Sequence, residues 1–252
     1  MSPRGRAWLF VGGALGMALL LAWGLAGVPG SDVPLGRYAG LLADHAVAER
    51  HTTNVVIATA FDYRALDTLG EEFLLFVAAV GTTVLLRATR EERDEERAAR
   101  LDEQRGVATS DSLRALGTGL VGPTVVLGVY VTAHGQLTPG GGFQGGVVLA
   151  AALLAVYVAG TWLALRHVAP VSALELSEAV GAGGFVLVGI GGLLFAAVFL
   201  ENFLPFGTKG DVLSGGMVPL ANLAVGLEVA GAFGVILTEL LDQIVLRRSA
   251  SG

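Results

Sequence analysis

The stretch from Ala115 to Leu165 contains no Asp, Glu, Lys or Arg over 51 consecutive residues. A membrane-spanning helix needs about 20 mostly apolar residues, so this stretch has room for two spans and a turn. Only 15% of the chain is charged, against about 25% in ordinary soluble domains. The sequence therefore predicts an all-α, polytopic integral membrane protein.

Composition also excludes several kinds of functional site. The chain has no cysteine, which excludes disulfides, thiolate zinc sites, iron–sulfur clusters and covalently attached c-type haem. We therefore expect no cofactor and no metal centre. The net charge of -6 argues against nucleic acid as a partner, because nucleic-acid-binding proteins present a basic surface. The expected surroundings are a lipid bilayer.

Apolar windows of suitable length predict six transmembrane helices. Their expected positions are 7–28, 66–87, 115–133, 147–165, 177–200 and 219–243. For the first window a cleaved signal peptide is the alternative, because Arg4 and Arg6 precede an apolar run. That charge-free run has 25 residues, which exceeds the usual signal-peptide core of about 7 to 15.

Basic residues concentrate on one side of the predicted spans. If both termini are cytoplasmic, the inside holds twelve of the 16 Lys and Arg: Arg4, Arg6, Arg87, Arg90, Arg93, Arg97, Arg100, Arg105, Arg114, Arg166, Arg247 and Arg248. The outside holds Arg37, Arg50, Arg64 and Lys209. Because cytoplasmic loops are enriched in Lys and Arg, the sequence predicts both termini in the cytoplasm. Labelling of a cysteine introduced at Arg97 from outside intact cells would contradict this topology.

The segment from Arg87 to Arg114 combines seven Arg with eight acids and has almost no large apolar residues. Such a composition is typical of a solvated linker, helical in part through pairs such as Glu96 with Arg100. A docking arm for a partner is the alternative. We expect a linker at 88–109 between a two-helix unit, residues 1–87, and a four-helix unit, residues 110–252.

The sequence HGQLTPGGGFQGG at 134–146 lies between the third and fourth predicted helices. Its glycines formally match GxGxxG, but no strand precedes them, so no dinucleotide site is predicted. One interpretation is a glycine-rich turn. The other is backbone that enters the membrane, which is tolerated only where it is buried or lines a hydrated cavity. In that case Phe143 plugs the turn, and His134 and Gln144 supply polar lining.

Acidic side chains inside predicted spans are unfavourable, since inserting each one at membrane depth costs at least ~2.5 kcal/mol of free energy. Their presence there indicates a structural or functional role. Glu228 falls near the bilayer midplane. Asp67 and Glu71, four residues apart, share one face of the second helix, and Glu175 and Glu178 share one face of the fifth. Each carboxyl either is neutral and fixes a helix interface, or takes part in an ion or proton relay.

Three further acids lie near the ends of predicted spans, where water is accessible. We expect their side chains to be solvated. They are Glu72, Glu239 and Asp242.

Two long motifs resemble the B subunit of the multisubunit Mrp-type (Mnh) sodium/proton antiporters. They are YVTAHGQLTPGGGFQGGVVLA at 130–150 and ENFLPFGTKGDVLSGGMVPLANLAVGLE at 201–228, within a resemblance that covers 110–245. A shorter segment, NVVIATAFDYRALDTLGE at 54–71, resembles the E subunit of related membrane-bound hydrogenases and the C-terminal end of the antiporter's A subunit. Tyr63 stands where that family usually has Phe. The resemblance implies a fusion of two modules, joined at the charged linker.

The resemblance and the buried acids together define candidate functional residues. The candidates for an ion pathway are Asp67, Glu71, Glu178, Glu228 and His134. The loop motif comprises Pro139, Gly140, Gly141, Gly142, Phe143 and Gln144. The only lysine, Lys209, lies in a predicted outer loop. Since buried lysines usually accompany proton pumping in the large subunits of such complexes, this chain is expected to be an accessory subunit.

The expected function is that of a non-catalytic membrane subunit of a monovalent cation (Na+)/proton antiporter in a prokaryotic plasma membrane. By resemblance it is a subunit of a secondary active transporter rather than an enzyme, with other antiporter subunits, Na+ and H+ as partners. Two alternatives stay open: a membrane subunit of a hydrogenase or complex-I-like respiratory assembly, and a purely structural scaffold.

Overall fold

The computed structural model describes residues 3–27, 36–86, 110–160 and 162–249. The predicted linker at 88–109, with Arg97, lies outside these ranges. Over the described ranges the chain is helical and has no strand. Residues 1–40 and 41–252 form two compact units.

The helices occur in the following order along the chain. They are α1 (Pro3–Ala26), α2 (Arg37–Arg50), α3 (Val55–Ala58), α4 (Ala65–Leu86), α5 (Asp111–Ala133), α6 (Gly142–Ala159), α7 (Trp162–Val168), α8 (Val171–Phe195) and α9 (Val218–Ser249), with a π-helical turn at Thr59–Tyr63. Among the described residues, α4, α5, α6, α8 and α9 are long and apolar enough to cross a membrane. The all-α, polytopic prediction is confirmed.

The first predicted span coincides with α1, whose described apolar stretch, Val11–Ala26, is shorter than the other five. Six spans with both termini cytoplasmic therefore stay a prediction. Helix α2 could not be predicted from hydropathy, because it lies outside the long apolar windows of the sequence.

The predicted bounds of the fourth helix are wrong at both ends, since α6 begins at Gly142 and ends at Ala159. Glycine disfavours helix by about 1 kcal/mol per residue, so the sequence suggested a turn as far as 146. Tertiary packing overrides this preference. A Cβ added at Gly142 would lie 2.3 Å from the carbonyl oxygen of Asn222, so only glycine lets α6 begin this close to α9. The fifth predicted helix also starts earlier, at Val171 directly after Pro170.

Helix α9 is the central helix of the larger unit. In its most apolar stretch 61% of the residues are buried, against 11% for α4. It packs against α4, α5, α6 and α8. The main core cluster contains Ile57, Phe61, Ala65, Phe185, Leu200, Val218, Ala221, Ala224, Val225 and Val229. Three polar side chains of α9, those of Asn222, Glu228 and Thr238, are buried inside the bundle.

Gly226, Ala230 and Gly234 of α9 lie at four-residue spacing, which predicts close contacts between helices. A Cβ added at Gly226 would lie 2.8 Å from Cγ2 of Thr132, and one at Gly234 would lie 2.7 Å from Cδ2 of Leu174. Small residues let helix backbones approach closely where lipid provides no hydrophobic driving force. The predicted contacts of these two glycines are confirmed.

Candidate functional site

Three glutamates from three different helices have buried side chains within the membrane-spanning part of the bundle. Glu228 of α9 is fully buried, and Glu72 of α4 and Glu178 of α8 are 2% and 4% exposed. The carboxyl of Glu228 interacts electrostatically with the carboxyls of both Glu72 and Glu178. No three His, Asp or Glu residues in the described part of the chain have the geometry of a metal site. The three carboxyls thus form a row across α4, α9 and α8, called here the carboxyl row.

Glycines bring α8 and α9 into backbone contact at the carboxyl row. A Cβ added at Gly181 of α8 would lie 2.3 Å from the main-chain nitrogen of Glu228. A Cβ added at Gly231 of α9 would lie 2.5 Å from the main-chain nitrogen of Glu178. Each of these glutamates therefore has a glycine of the opposite helix packed against its main chain. Because Glu178 lies against Gly231 and Gly181 against Glu228, residue numbers rise along α8 as they fall along α9, so the two helices run antiparallel.

Most carboxyl oxygens of the row have no hydrogen-bond donor among the described residues. Both oxygens of Glu72, both of Glu228 and Oε1 of Glu178 are buried without such a donor. Two carboxyls can hydrogen-bond to each other only when one of them carries a proton. Because a buried, uncompensated carboxylate is costly, the row needs a proton or a cation to be stable. The arrangement is chemically suited to hold and exchange protons.

The structure places two of the predicted acidic residues in the carboxyl row and two outside it. Glu178 and Glu228 belong to the row, whereas Asp67 and Glu71 are exposed. Asp67 pairs with Arg64. The helix face that Asp67 and Glu71 share therefore lies apart from the buried acids Glu178 and Glu228.

The expectation that Glu72 is solvated is wrong. Neighbouring residues of a helix project about 100° apart, so Glu72 points into the bundle while Glu71 points out of it. The buried residues of α4 are Ala65, Thr68, Glu72 and Ala79. The signal that could have found Glu72 is this spacing of three, four and seven residues, which marks one face of a helix.

Segments 50–64, 134–141 and 196–217 meet at one end of the bundle, called here the loop end. They are joined by hydrogen bonds between Thr53 N and Gln136 O (3.0 Å), Asn202 Nδ2 and Asp62 Oδ2 (2.8 Å), and His51 Nδ1 and Gly207 O (2.6 Å). A hydrogen bond from Gln136 Nε2 to the Val212 carbonyl adds a further link. The fully buried Gln136 could not be singled out from the sequence, because nothing in a glycine-rich turn marks one amide as inward-facing.

The glycine-rich segment is a turn clamped by two asparagines. Asn54 Nδ2 donates to the carbonyls of Gly135 (2.8 Å) and Thr138 (2.9 Å). Asn222 Oδ1 accepts from Gly142 N (2.8 Å) at the start of α6. Gly141 has a φ of 138°, a conformation that L side chains rarely adopt. This geometry corresponds to the turn interpretation of 134–146 and ends the turn at 141.

The loop-motif residues divide into a buried and an exposed group. Gly141 and Gly142 are buried and Gly140 is half-buried, whereas Pro139 and Gln144 are exposed. Phe143 is 39% exposed in the first turn of α6, so it does not plug the turn. His134 stacks on Tyr130, with ring centroids 4.1 Å apart, and does not reach the carboxyl row. The functional roles of these residues stay predictions.

Asp62 is the most buried ionisable side chain of the loop end for which an ion pair is observed. Its carboxyl lies 3.3 Å from Arg50 Nε and is 5% exposed. Burial raises the pKa of Asp62 above its usual value, while the Asn202 hydrogen bond and the Arg50 charge act to lower it. Because burial is the largest effect, the folded protein binds a proton at Asp62 more tightly than the unfolded chain does.

We expect the stability of the loop end to fall as pH rises from about 4, near the unfolded pKa of Asp, through the folded pKa of Asp62. Asp62 alone changes the free energy of unfolding by at most about 1.4 kcal/mol per pH unit. Asp62→Asn should remove this pH dependence, as measured by the apparent unfolding temperature across mildly acidic pH. The exposed Asp67→Asn is the matched control. Parallel pH profiles for wild type and Asp62→Asn would contradict the prediction.

Residues 112–235 match the family model described as a domain related to the MnhB subunit of Na+/H+ antiporter. An uncharacterized protein of Methanocaldococcus jannaschii is 32% identical over 200 residues, which cover 70% of this chain and 72% of that protein. A protein of Rhizobium meliloti, described as the A/B subunit of a probable K(+)/H(+) antiporter, is 26% identical over 230 residues. The match covers 82% of this chain but only 22% of the rhizobial protein.

Two solved structures have a similar fold. One is a chain of the membrane-bound sulfane sulfur reductase, an archaeal respiratory membrane complex, with a TM-score of 0.68 and 28% identity. That match covers 94% of this chain and 98% of the other. The other is a chain of the Mrp complex from Dietzia sp. DQ12-45-1b, with a TM-score of 0.68 and 23% identity over 95% of this chain and 26% of that one. At 23% identity, this likeness shows the fold alone.

Proposed function

The chain belongs to the family that carries the domain related to the MnhB subunit of Na+/H+ antiporters, and we propose that it is a membrane subunit of a multisubunit monovalent cation/proton antiporter. It is a multi-pass protein of a prokaryotic plasma membrane, with five helices long and apolar enough to cross a membrane among the described residues, and it assembles with other subunits. We propose that it performs no covalent chemistry and helps to form the ion pathway.

The observation that carries this proposal is the carboxyl row. Three buried glutamates on α4, α8 and α9 have oxygens without hydrogen-bond donors among the described residues. No described Lys or Arg is observed in an ion pair with them. Acidic residues buried at membrane depth typically mark proton relays and ion pathways. The row is therefore the part of this chain most suited to pass a proton or a monovalent cation.

We also propose that residues 1–87 derive from an A-subunit-like module fused to the MnhB-like module at 110–252. The match to the rhizobial antiporter protein supports this, because it extends over 82% of this chain, beyond residues 112–235. The six-span topology with cytoplasmic termini remains part of the proposal.

Deletion of the gene in a host with no second antiporter tests the function. We expect lost growth at high sodium or alkaline pH, and lost cation-dependent proton exchange in membrane vesicles, with recovery when the chain is restored. Unchanged sodium and alkali tolerance in the deletion strain would contradict the antiporter proposal.

A role as a respiratory membrane subunit is the second candidate, favoured by the match that covers 98% of a chain from an archaeal respiratory complex. The proteins that copurify with this chain separate the two candidates. Large antiporter-like subunits alone support antiport. Iron–sulfur or nickel–iron subunits in the same particle support the respiratory assembly.

A further inference from the structure

The three glutamates of the carboxyl row are enclosed by the chain itself. Glu228 is fully buried, and Glu72 and Glu178 are 2% and 4% exposed. An ion that reaches these side chains must therefore leave its bulk hydration shell behind. A dehydrated monovalent cation then needs several oxygen ligands from the protein, whereas a proton needs one acceptor atom. The groups that surround the row therefore decide which ion it can hold.

Main-chain carbonyl oxygens of α8 and α9 lie beside the row, but they already accept hydrogen bonds. A Cβ added at Gly181 would lie 2.6 Å from the carbonyl oxygen of Ala224. One added at Gly231 would lie 2.6 Å from the carbonyl oxygen of Leu174. Ala224 and Leu174 lie inside α9 and α8, four residues before the row glutamate of each helix. A carbonyl at that position accepts from the main-chain N–H four residues later, so neither is a free ligand.

The hydroxyl groups nearest to the row along the chain are also engaged. Thr68, four residues before Glu72 on the buried face of α4, donates to the Ala60 carbonyl (2.6 Å). Ser177 of α8 donates to the Leu227 carbonyl (2.8 Å). The buried oxygens of the row that have no donor among the described residues belong to the carboxyls themselves. The row thus offers an ion its own carboxyls, which can hydrogen-bond to one another once one of them is protonated.

Space beside the row is equally restricted. At Gly181 and Gly231 a single added carbon would collide with the main chain of the opposite helix, at 2.3 and 2.5 Å, so α8 and α9 leave no passage between their backbones there. Two mostly apolar cavities of about 350 and 230 Å³ are lined in part by α9. None of the three row glutamates lines either cavity. A proton needs no such space, because it moves along existing hydrogen bonds.

We propose that the carboxyl row is selective for protons: it passes protons among Glu72, Glu228 and Glu178 and does not bind Na+ or K+. The cation that the complex exchanges then follows a different route. This proposal rests on the proposed function, since it states which of the two exchanged ions uses the row. Substitutions in the row should accordingly change proton transfer and leave the affinity for the cation unchanged.

Infrared difference spectra of the purified complex test this selectivity without a transport assay. A protonated carboxyl has a carbonyl stretch distinct from the bands of a carboxylate, and the part that Glu228→Gln or Glu72→Gln removes belongs to the row. At constant pH we expect that part to be the same in Na+, K+ and choline buffers. Asp211→Asn, which changes an exposed acid outside the bundle core, is the control and should leave the band unchanged.

Two spectroscopic results would overturn the proposal. One is a loss of the row's band on addition of Na+ or K+, because a bound cation would then replace the proton. The other is the lack of any protonated-carboxyl band that Glu228→Gln or Glu72→Gln removes, because the row would then hold no proton.

The dependence of exchange on sodium concentration gives a second, independent measurement. We expect Glu228→Gln to lower the maximal rate at least about tenfold, while the half-saturating Na+ concentration changes by less than about twofold. Loss of a cation ligand would raise that concentration further, and such a rise, or an unchanged maximal rate, would overturn the proposal. Neither result would remove the proposed function, which fails separately if the deletion strain keeps its sodium and alkali tolerance.

Discussion

Glu228→Gln is expected to lower cation/proton exchange by the assembled complex at least about tenfold, which corresponds to ~1.4 kcal/mol in the rate-limiting step. Glutamine keeps the size of a protonated glutamate and much of its hydrogen bonding but cannot release a proton. Glu228 is the middle member of the carboxyl row and is fully buried. Its replacement therefore interrupts the row without leaving a cavity. The measurement is proton exchange in vesicles across the working pH range, with complex assembly checked in the same membranes.

Matched substitutions separate a relay from a scaffold. Glu72→Gln and Glu178→Gln should act in the same direction as Glu228→Gln, because both side chains are buried in the same row. Asp211→Asn, at an exposed acid of the loop segment 196–217, is the control and should have no effect. Glu71→Gln tests the prediction from sequence that Glu71 lies in the ion pathway. If assembled Glu228→Gln and Glu72→Gln complexes exchange protons at the wild-type rate at every pH, the row is structural.

Gly181→Ala is expected to destabilise the bundle by about 3 kcal/mol or more, the upper end of the range for overpacked sites. The added Cβ would lie 2.3 Å from Glu228 N and 2.6 Å from the Ala224 carbonyl oxygen. These are main-chain atoms, so α8 and α9 must separate. The expected result is a fall of several degrees in the apparent unfolding temperature of the purified chain or complex, together with reduced transport, since the carboxyl row is displaced.

Gly183→Ala is the control for this prediction. It lies two residues away on the same helix, and an added Cβ there has nothing within 4 Å. Alanine is also the better helix former, so Gly183→Ala should be neutral or slightly stabilising. Equal unfolding temperatures for the two variants would contradict the close α8 and α9 contact.

Several features of the carboxyl row could be predicted from the sequence. Glu228 is an acid in the middle of an apolar stretch, and the cost of a charge in lipid makes it a candidate without any knowledge of the fold. Glu178 could be named for the same reason, although its burial could not be separated from the exposure of Glu175. The position of Glu72 could not be predicted in this way, since distance from a predicted span end says nothing about which face of the helix is covered.

The loop end also combines features that could be predicted from the sequence with features that only the structure shows. The sequence marks 134–146 as a charge-free, glycine-rich segment between two helices. It does not show that Asn54 and Asn222, about 80 residues away on either side, hold the turn. Nor does it show that Gly142 begins a helix, because the reason is a backbone contact with α9. Hydrogen bonds between distant segments leave no periodic pattern in a sequence.

The sequence by itself determined that this chain is helical and membrane-embedded, which glycines of α9 lie at helix contacts, and which family motifs it carries. These properties follow from local composition and spacing, which the bilayer constrains strongly because every backbone polar group must be satisfied within a helix. Only the tertiary structure decided that Glu72 faces inward and Glu71 outward, and that Glu72, Glu178 and Glu228 form one row. Those facts depend on how α4, α8 and α9 are rotated about their axes, and that rotation is set by contacts between residues far apart in the chain.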